Sequence, residues 1–300
     1  MPACGSLSGT LGPVMRVPFS LMLVLLAAGV PAALACPPPE RVQALVRDWN
    51  NRVPVKGLQA GSMEDAECGR ALFVAELGKD LGRVAGYKAA LTNPEVQGAV
   101  KVLAPVRGVL LERMLVRGTG AAVVMPTRYA ARPLVEADLI VEVKDGRIHD
   151  AKSDVELLQS LARVYPFIEL ADLVVAPGEP ITGPVVVMIN AGARAGVLGA
   201  PLDVQATQAF AGALATMQVV VTDGTGQLIA RGEGRAIMGH PLNAVRWLAE
   251  DLARSGVRLK AGDLLSLGSF TAPLTPQAGE TVRVRYEGLP GNPQVAVSFK

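Results

Sequence analysis

The feature that most limits the possible folds is an alternating segment at residues 132–144. One parity of the segment is apolar and consists of Val135, Ala137, Leu139, Val141 and Val143. The other parity carries Glu136, Asp138, Ile140 and Glu142. Because successive side chains of a strand point to opposite faces, this period of two predicts a β-strand with one face in a core. A chain that contains such a strand has to build a sheet around it.

The rest of the sequence favours short strands joined by tight turns. Half of the residues are apolar and only 4% are aromatic, while 32 glycines and 22 prolines supply turn residues. Compact apolar runs at 185–189 and 217–221 predict strands, and the last twenty residues alternate in the same way. Asp223-Gly224 predicts a hairpin turn after the second of these runs.

Apolar residues at helical spacing predict four helices, at 39–50, 63–78, 153–164 and 242–257. Ser62 with Asp65, and Ser153 with Glu156, are capping pairs at the start of the second and third helices. There is no internal repeat and no long linker. The sequence therefore predicts a single α+β domain at 36–300 that is mainly β. It has a helical N-terminal portion at 36–82 and a β-rich portion at 83–300.

The first 35 residues are predicted to be a signal peptide. Arg16 supplies a positive charge, residues 21–30 are apolar, and Ala33-Leu34-Ala35 is a small-x-small cleavage site before Cys36. A membrane anchor is the alternative, but the run is short for a bilayer span and is bracketed by prolines. The protein is therefore expected to be exported to the periplasm. Lipid attachment at Cys36 stays open beside simple cleavage.

Cleavage would leave two cysteines, Cys36 and Cys68. In an oxidising compartment the two can form a disulfide. The alternative is one buried thiol near Cys68 and one thiol at the chain terminus. The sequence leaves both arrangements open.

Charge and composition exclude several classes of site. The net charge is +2, and no basic run is interleaved with aromatic residues, so nucleic acid is not an expected partner. The only histidines, His149 and His240, are too far apart in sequence to suggest a histidine-type zinc cluster. No Gly-x-Ser-x-Gly nucleophile elbow is present.

Three carboxylates are candidate metal ligands. Glu136 and Asp138 leave the same face of the predicted strand, and Glu169 lies in the apolar stretch Phe167-Ile168-Glu169-Leu170. A buried ionised carboxylate needs a partner, and an all-oxygen set of ligands suits Mg²⁺ or Mn²⁺. The alternative is a solvated strand face with an unrelated glutamate.

Lys88 is the candidate acid–base residue. It stands in the apolar stretch Val84-Ala85-Gly86-Tyr87-Lys88-Ala89-Ala90-Leu91. Burial lowers the pKa of a lysine, which then exchanges its proton near neutral pH. The alternative is a surface lysine whose apolar stem covers the sheet.

Five stretches, in order, resemble the 2-keto-4-pentenoate hydratase family of the fumarylacetoacetate hydrolase superfamily. They are Gly86-Tyr87-Lys88-Ala89-Ala90-Leu91-Thr92, Glu136-Ala137-Asp138, Phe167-Ile168-Glu169, Met238-Gly239-His240-Pro241-Leu242-Asn243-Ala244-Val245 and Leu267-Gly268-Ser269-Phe270-Thr271-Ala272-Pro273. The resemblance runs from about residue 40 to the end of the chain. Its most specific parts are the Gly-His-Pro and Gly-Ser-Phe-Thr-Ala-Pro stretches.

The resemblance implies a mixed β-roll with peripheral helices, homo-oligomeric assembly and a small 2-oxo or 2-hydroxydienoic acid as substrate. It implies Mg²⁺ or Mn²⁺ on Glu136, Asp138 and Glu169, and Lys88 as the catalytic lysine. The substrate-binding residues that it implies are Asn190, His240, Ser269 and Thr271.

Two departures from the family pattern matter. Ile189-Asn190-Ala191-Gly192 stands where the family usually has Asp-Asn-Ala-Ser, and Asp138 stands where the middle ligand is usually a glutamate. An exported member is also unusual, because the family serves cytoplasmic ring-cleavage pathways of aromatic catabolism. Hydration of a 2-hydroxydienoate is therefore the main functional hypothesis. Decarboxylation of a 2-oxo acid, hydrolysis of an acylpyruvate and a non-catalytic exported binding protein remain alternatives.

Overall fold

The alternating segment forms a strand at Pro133–Val143 that pairs antiparallel with a second long strand at Leu161–Asp172. Both faces of this pair are buried. Leu139 and Val141 pack into one apolar core, whereas Ile140, Tyr165 and Phe167 pack into another. The pair is therefore the centre of the molecule, and its second face is covered by protein.

The computed structural model describes residues 9, 36–118 and 120–300. Apart from Gly9, the predicted signal peptide at 1–35 lies outside the described residues. Leu34–Lys300 is one compact unit. The helices of the described part are α1 (Pro39–Asn51), α2 (Met63–Leu81), α3 (Pro94–Ala99), α4 (Asp154–Gln159), α5 (Gly183–Met188), α6 (Gln208–Thr216) and α7 (Pro241–Arg254). The strands are β1 (Val84–Ala90), β2 (Val106–Leu111), β3 (Leu115–Arg117), β4 (Val123–Met125), β5 (Pro133–Val143), β6 (Leu161–Asp172), β7 (Ala195–Leu198), β8 (Leu202–Asp203), β9 (Gln218–Thr222), β10 (Leu228–Glu233), β11 (Leu264–Ser266), β12 (Thr281–Glu287) and β13 (Gln294–Phe299).

These strands form two sheets. The larger sheet has the order β2-β1-β11-β5-β6-β7-β3, with β8 also pairing with β6. The smaller sheet has the order β10-β9-β12-β13-β4. The predicted α+β class with mainly β structure is confirmed.

The larger sheet lies between two layers. On one face, Leu139 and Val141 share a core with residues of the smaller sheet and of α6 and α7. On the other face, Ile140 and Tyr165 share a core with residues of α1, α2 and α5. The second face also carries Glu136 and Asp138, because these residues have the same parity as Ile140.

Several local predictions are confirmed. The helix α2 starts with the Ser62–Asp65 capping box, and α1 and α7 lie where their apolar spacing places them. The Asp223-Gly224 turn joins β9 to β10, and the alternating C-terminal segments form β12 and β13.

Two predictions are wrong. The helix that starts after Ser153 ends at Gln159, and Leu161 and Val164 belong to β6, where they pair with Val143 and Val141. The long-range pairing with β5 outweighs the helical spacing of these leucines and valines. The apolar run at 185–189 is part of α5 and its C-terminal end, not a strand. Thr182 caps this helix, and a run that is buried on all sides has no period to distinguish helix from strand.

A disulfide joins Cys36 to Cys68, with 5.4 Å between the two Cα atoms. It ties the segment before α1 to the middle of α2, which packs against α5. None of the helices in the described part of the chain is long and apolar enough to span a bilayer.

Candidate active site

One face of the larger sheet brings the four predicted ionisable residues together. Glu136 in β5 lies directly opposite Glu169 in β6. Lys88 in β1 lies beside Ser266 in β11, and Ser266 lies beside Ile140 in β5. Paired residues of neighbouring strands point to the same side of a sheet, so all four lie on the face that α1, α2 and α5 cover. The register therefore joins residues that are far apart in sequence.

Lys88 is a buried lysine with only 3% of its surface exposed. Its Nζ donates one hydrogen bond to Glu169 and a second, of 3.0 Å, to the carbonyl oxygen of Ala191. Gly108 gives the side chain room, since a Cβ at this position would lie 2.7 Å from Cγ of Lys88. The alternative of a surface lysine is excluded in this structure.

The carbonyl that accepts from Lys88 is held in place by an unusual backbone turn. Asn190 and Ala191 are both left-handed, with φ of 57° and 52°. This conformation is uncommon for residues other than glycine. The Asn190 amide secures it by accepting from the backbone N–H of Val109 at 2.7 Å and donating to the Val109 carbonyl at 2.9 Å.

Asp138 is fully buried and well provided with donors. Its Oδ1 accepts from the backbone amides of Leu267 and Gly268 at 3.1 and 3.0 Å, and also from its neighbour Leu139. Its Oδ2 accepts from the hydroxyl of Ser266. A carboxylate has about four lone-pair positions, so Oδ2 still has one to offer.

The two glutamates are less well partnered. Glu169 is 1% exposed, and its Oε2 is buried without a hydrogen-bond partner among the described residues. Glu136 lines a cavity next to Lys88. Burial and the repulsion from Glu169 raise the pKa of the Glu136 carboxyl to about 7, and the same two causes raise the pKa of Asp138 to about 7.

The pKa of Lys88 moves in the direction opposite to the sequence-based expectation. Burial alone acts to lower it, but the charges of Glu169, Glu136 and Asp138 and the hydrogen bond to Glu169 outweigh burial, so that the pKa is raised. In the metal-free protein Lys88 is thus an ammonium group. A nearby divalent cation would oppose this by like-charge repulsion.

The charges of the cluster do not balance. When all three carboxylates are ionised they face one ammonium. Within residues 36–118 and 120–300, no three His, Cys, Asp or Glu side chains, these three included, are already arranged around a common metal position. One divalent cation would supply the two missing positive charges, and the unpartnered Oε2 of Glu169 is an available ligand atom. The donor set therefore fits an oxygen-preferring cation, although Lys88 now occupies the other oxygen of Glu169.

A cavity of about 720 Å³ opens onto this cluster. Lys88, Glu136, Ser269 and Thr271 all line it, whereas Asp138 and Glu169 do not. The Ser269 hydroxyl donates to the carbonyl of Thr271 at 2.8 Å and so stabilises the loop after β11.

Two predicted substrate-binding residues lie elsewhere. The Asn190 amide is committed to Val109 and is fully buried, and Asn190 is not part of the cavity wall. His240 caps α7: its Nδ1 accepts from the backbone N–H of Leu242, and its Nε2 lies 3.1 Å from the carbonyl of Ala211. Both residues support the scaffold in this structure.

Sequence reasoning missed two groups of the site. The backbone carbonyl of Ala191 has no signal in a sequence. Ser266 does have a signal in the sequence, because it is a polar residue in an apolar stretch, two residues before Gly268. Its hydrogen bond to Asp138, however, follows only from the register of the strands.

No protein-family model matches the chain. The 2-keto-4-pentenoate hydratase 2 of Dechloromonas aromatica is 30% identical over 211 residues, which cover 69% of this chain and 76% of the relative. The chain belongs to the 2-keto-4-pentenoate hydratase family. The 2-hydroxyhexa-2,4-dienoate hydratase of Comamonas testosteroni is also 30% identical, over 208 residues and 76% of its length.

Among solved structures, the 4-oxalocrotonate decarboxylase of Pseudomonas putida G7, complexed with magnesium and adipate, shares the fold. Its TM-score is 0.75 at 22% identity, and the match covers 87% of this chain and 97% of the decarboxylase.

Of the positions at which this member of the hydratase family departs from the family pattern, Ile189 and Gly192 lie at the cavity and Asp138 does not. Ile189 and Gly192 line it, where the family usually has aspartate and serine. The cavity wall beside the Ala191 carbonyl is therefore apolar in this protein.

The metal-free protein should lose stability as pH rises from about 4 to 7. The folded-state pKa values of Glu136 and Asp138 lie near 7, above the value of about 4 for an unfolded carboxyl. Between these limits the folded state binds more protons than the unfolded state, so the free energy of unfolding falls with rising pH, by roughly 4 kcal/mol for each of the two carboxyls. Urea unfolding in EDTA across this range measures the effect.

Glu136→Gln should remove part of this pH dependence, because glutamine stands for the protonated carboxyl at every pH. Glu280→Gln, at an exposed position, is the matched control and should behave as the parent. If the free energy of unfolding of Glu136→Gln changed between pH 4 and 7 as much as that of the parent, the pKa of the Glu136 carboxyl would not be raised.

Proposed function

We propose that the protein is a hydro-lyase that adds water to a 2-hydroxy-2,4-dienoate, or its 2-oxo-4-enoate form, with the help of Mg²⁺ or Mn²⁺. The observation that carries this proposal is the buried contact of Lys88 with Glu169, beside Glu136 and Asp138, at a cavity of a hydratase-family chain. An acid–base lysine next to unbalanced carboxylates suits a reaction that moves a proton and builds negative charge on an oxygen.

In this proposal Glu136, Asp138 and Glu169 hold the cation. The excess negative charge of the cluster and the unpartnered Oε2 of Glu169 support it. So does the magnesium in the decarboxylase that shares the fold. The bound cation supplies Lewis-acid stabilisation to the carboxylate and 2-oxygen of the substrate.

Lys88 is the proposed proton carrier. In the ketonisation of the dienol, its ammonium delivers a proton to C5, and the amine that results takes the proton of the 2-hydroxyl. A 2-oxo-3-enoate is formed and the ammonium is restored. Water then adds at C4, the carbon conjugated to the 2-carbonyl, and C3 receives the second proton. The Ala191 carbonyl and the Gly108 backbone keep Nζ in place while it exchanges protons.

Ser269 and Thr271 are the proposed substrate-binding residues at the cavity, where backbone and hydroxyl groups of their loop meet the substrate. Asn190 and His240 contribute indirectly, through the Ala191 turn and the start of α7. Assembly into a homo-oligomer stays a prediction from the family.

Decarboxylation of a vinylogous 2-oxo acid is a second candidate. The same stabilised enolate serves it, and the fold shared with 4-oxalocrotonate decarboxylase favours it. Hydrolysis of an acylpyruvate requires the same enolate and is the remaining enzyme alternative.

Lys88→Met should leave Mn²⁺ binding intact and lower turnover of 2-hydroxypenta-2,4-dienoate by about a hundredfold or more. Methionine keeps much of the stem volume but carries no proton. The comparison has to use metal-loaded protein, because loss of the ammonium leaves Glu169 unpaired and destabilises the metal-free fold. Calorimetry with Mn²⁺ and the ultraviolet absorbance of the dienol provide the two measurements.

Lys79→Met is the control, since Lys79 is an exposed lysine paired only with Glu76. Parental turnover by Lys88→Met would exclude Lys88 as the proton carrier. A parent protein that binds oxalate with Mn²⁺ but converts no 2-oxo or 2-hydroxydienoic acid would be a binding protein, not an enzyme.

We also propose that the protein is exported and begins at Cys36 after cleavage. The Cys36–Cys68 disulfide supports an oxidising compartment. It also favours simple cleavage over lipid attachment, because a sulfur in a disulfide cannot carry a thioether-linked lipid.

The intact mass of the protein secreted by its native host should correspond to residues 36–300, less two hydrogens for the disulfide. Reduction should add those two hydrogens back. A mass that includes residues 15–35 would contradict cleavage, and an added diacylglycerol would show that Cys36 is lipid-anchored.

A further inference from the structure

Four aliphatic side chains that line the cavity belong to, or pack against, one apolar core, and we call them the apolar wall. It consists of Leu173, which follows β6, and Ile181, Val186 and Ile189, which lie in and around α5. Val186 and Ile189 are anchored in the core that α1 and α2 also share. Leu173 and Ile181 are only partly buried, so their side chains remain available to a bound molecule.

Two of the five charged residues that line the cavity are committed to other partners, whereas Glu95, Glu136 and Arg231 have no ion-pair partner among the described residues. Lys88 is paired with Glu169. Asp172 accepts from the backbone amides of Ala131 and Arg132 and is paired with Arg194. Among the described residues that line the cavity, the one other cation is Arg231, which is exposed.

The cavity is larger than a five-carbon acid requires. Its volume of about 720 Å³ lies within the range of about 300–1,000 Å³ that is typical of pockets for drug-sized ligands. With the carboxylate and 2-oxygen of the substrate at the ionisable cluster, space remains for a tail, and the apolar wall forms part of the lining of the cavity.

We propose that the substrate carries an uncharged hydrocarbon tail beyond C5, alkyl or aryl, and that the apolar wall selects it against a tail that ends in a second carboxylate. This proposal rests on the proposed function, since it takes the 2-hydroxydienoate head as given. A carboxylate against the wall would lose its hydration without gaining a buried cation. Each methylene that the wall buries should raise kcat/KM by about fourfold.

The test compares two 2-hydroxydienoates whose tails have similar shape, one ending in isopropyl and the other in carboxylate. The unsubstituted 2-hydroxypenta-2,4-dienoate is the reference. The wild-type, metal-loaded enzyme should prefer the isopropyl tail to the carboxylate tail by about thirtyfold or more in kcat/KM. Binding of the corresponding saturated 2-oxo acids, measured by calorimetry, should show the same order.

Ile181→Arg places a cation on the wall at a partly exposed position and should reduce this preference at least tenfold. Leu103→Arg is the matched control, because Leu103 is fully exposed and does not line the cavity, and its preference should stay at the parent value. If Ile181→Arg fails to fold, Ile181→Ala provides the same test. It should lower kcat/KM for the isopropyl tail several-fold more than kcat/KM for the unsubstituted acid.

The outcomes separate this proposal from the proposed function. Turnover of the unsubstituted acid with no preference between the tails would overturn the role of the wall while the hydratase stands. A preference for the carboxylate tail that is lost in Arg231→Gln would assign the specificity to Arg231. This result would also overturn the role of the apolar wall. Failure to bind or convert any of the acids would overturn the proposed function, and this inference with it.

Discussion

The buried ion pair between Lys88 and Glu169 is the interaction on which the rest of the site depends. Removing an ammonium and a carboxylate from water is expensive, and each remaining donor or acceptor of the pair that lacks a partner adds to that cost. The Ala191 carbonyl, the left-handed turn at Asn190 and the space beside Gly108 all serve the lysine. Fewer groups serve the two glutamates, since Glu169 Oε2 has no partner in the described residues and Glu136 faces the cavity. The imbalance of negative charge is what makes the site suited to a divalent cation.

The sequence predicted those parts of the site that depend on local pattern. The alternation of β5 places Glu136 and Asp138 on one face, and the apolar context of Lys88 agrees with its burial. The sequence did not predict that Glu169 lies opposite Glu136, because that contact depends on the register of β5 against β6. Nor did it predict a raised pKa for Lys88, since the charges responsible come from other strands.

The fold errors have the same origin. Leu161 and Val164 have helical spacing but belong to β6, because they pair with residues of β5. The run at 185–189 is buried on all sides and so lacks a period, and the capping residue Thr182 was the local clue to a helix. That error concerned function as well as fold, because α5 and the residues after it contribute Val186 and Ile189 to the apolar wall and form the turn that holds Lys88. The Cys36–Cys68 disulfide links the segment before α1 to α2, and α2 in turn packs on α5.

The central claim is that the carboxylate cluster at Lys88 accepts a divalent cation together with a 2-oxo acid head group. A crystal soaked with Mn²⁺ and oxalate tests it most directly, through the anomalous signal of manganese. We expect one strong anomalous peak bonded to Glu136, Asp138 and Glu169, with oxalate in the cavity and Lys88 Nζ next to it. A crystal with saturating Mn²⁺ that shows no peak at the cluster, and in which Lys88 and Glu169 remain paired as they are now, would contradict the account.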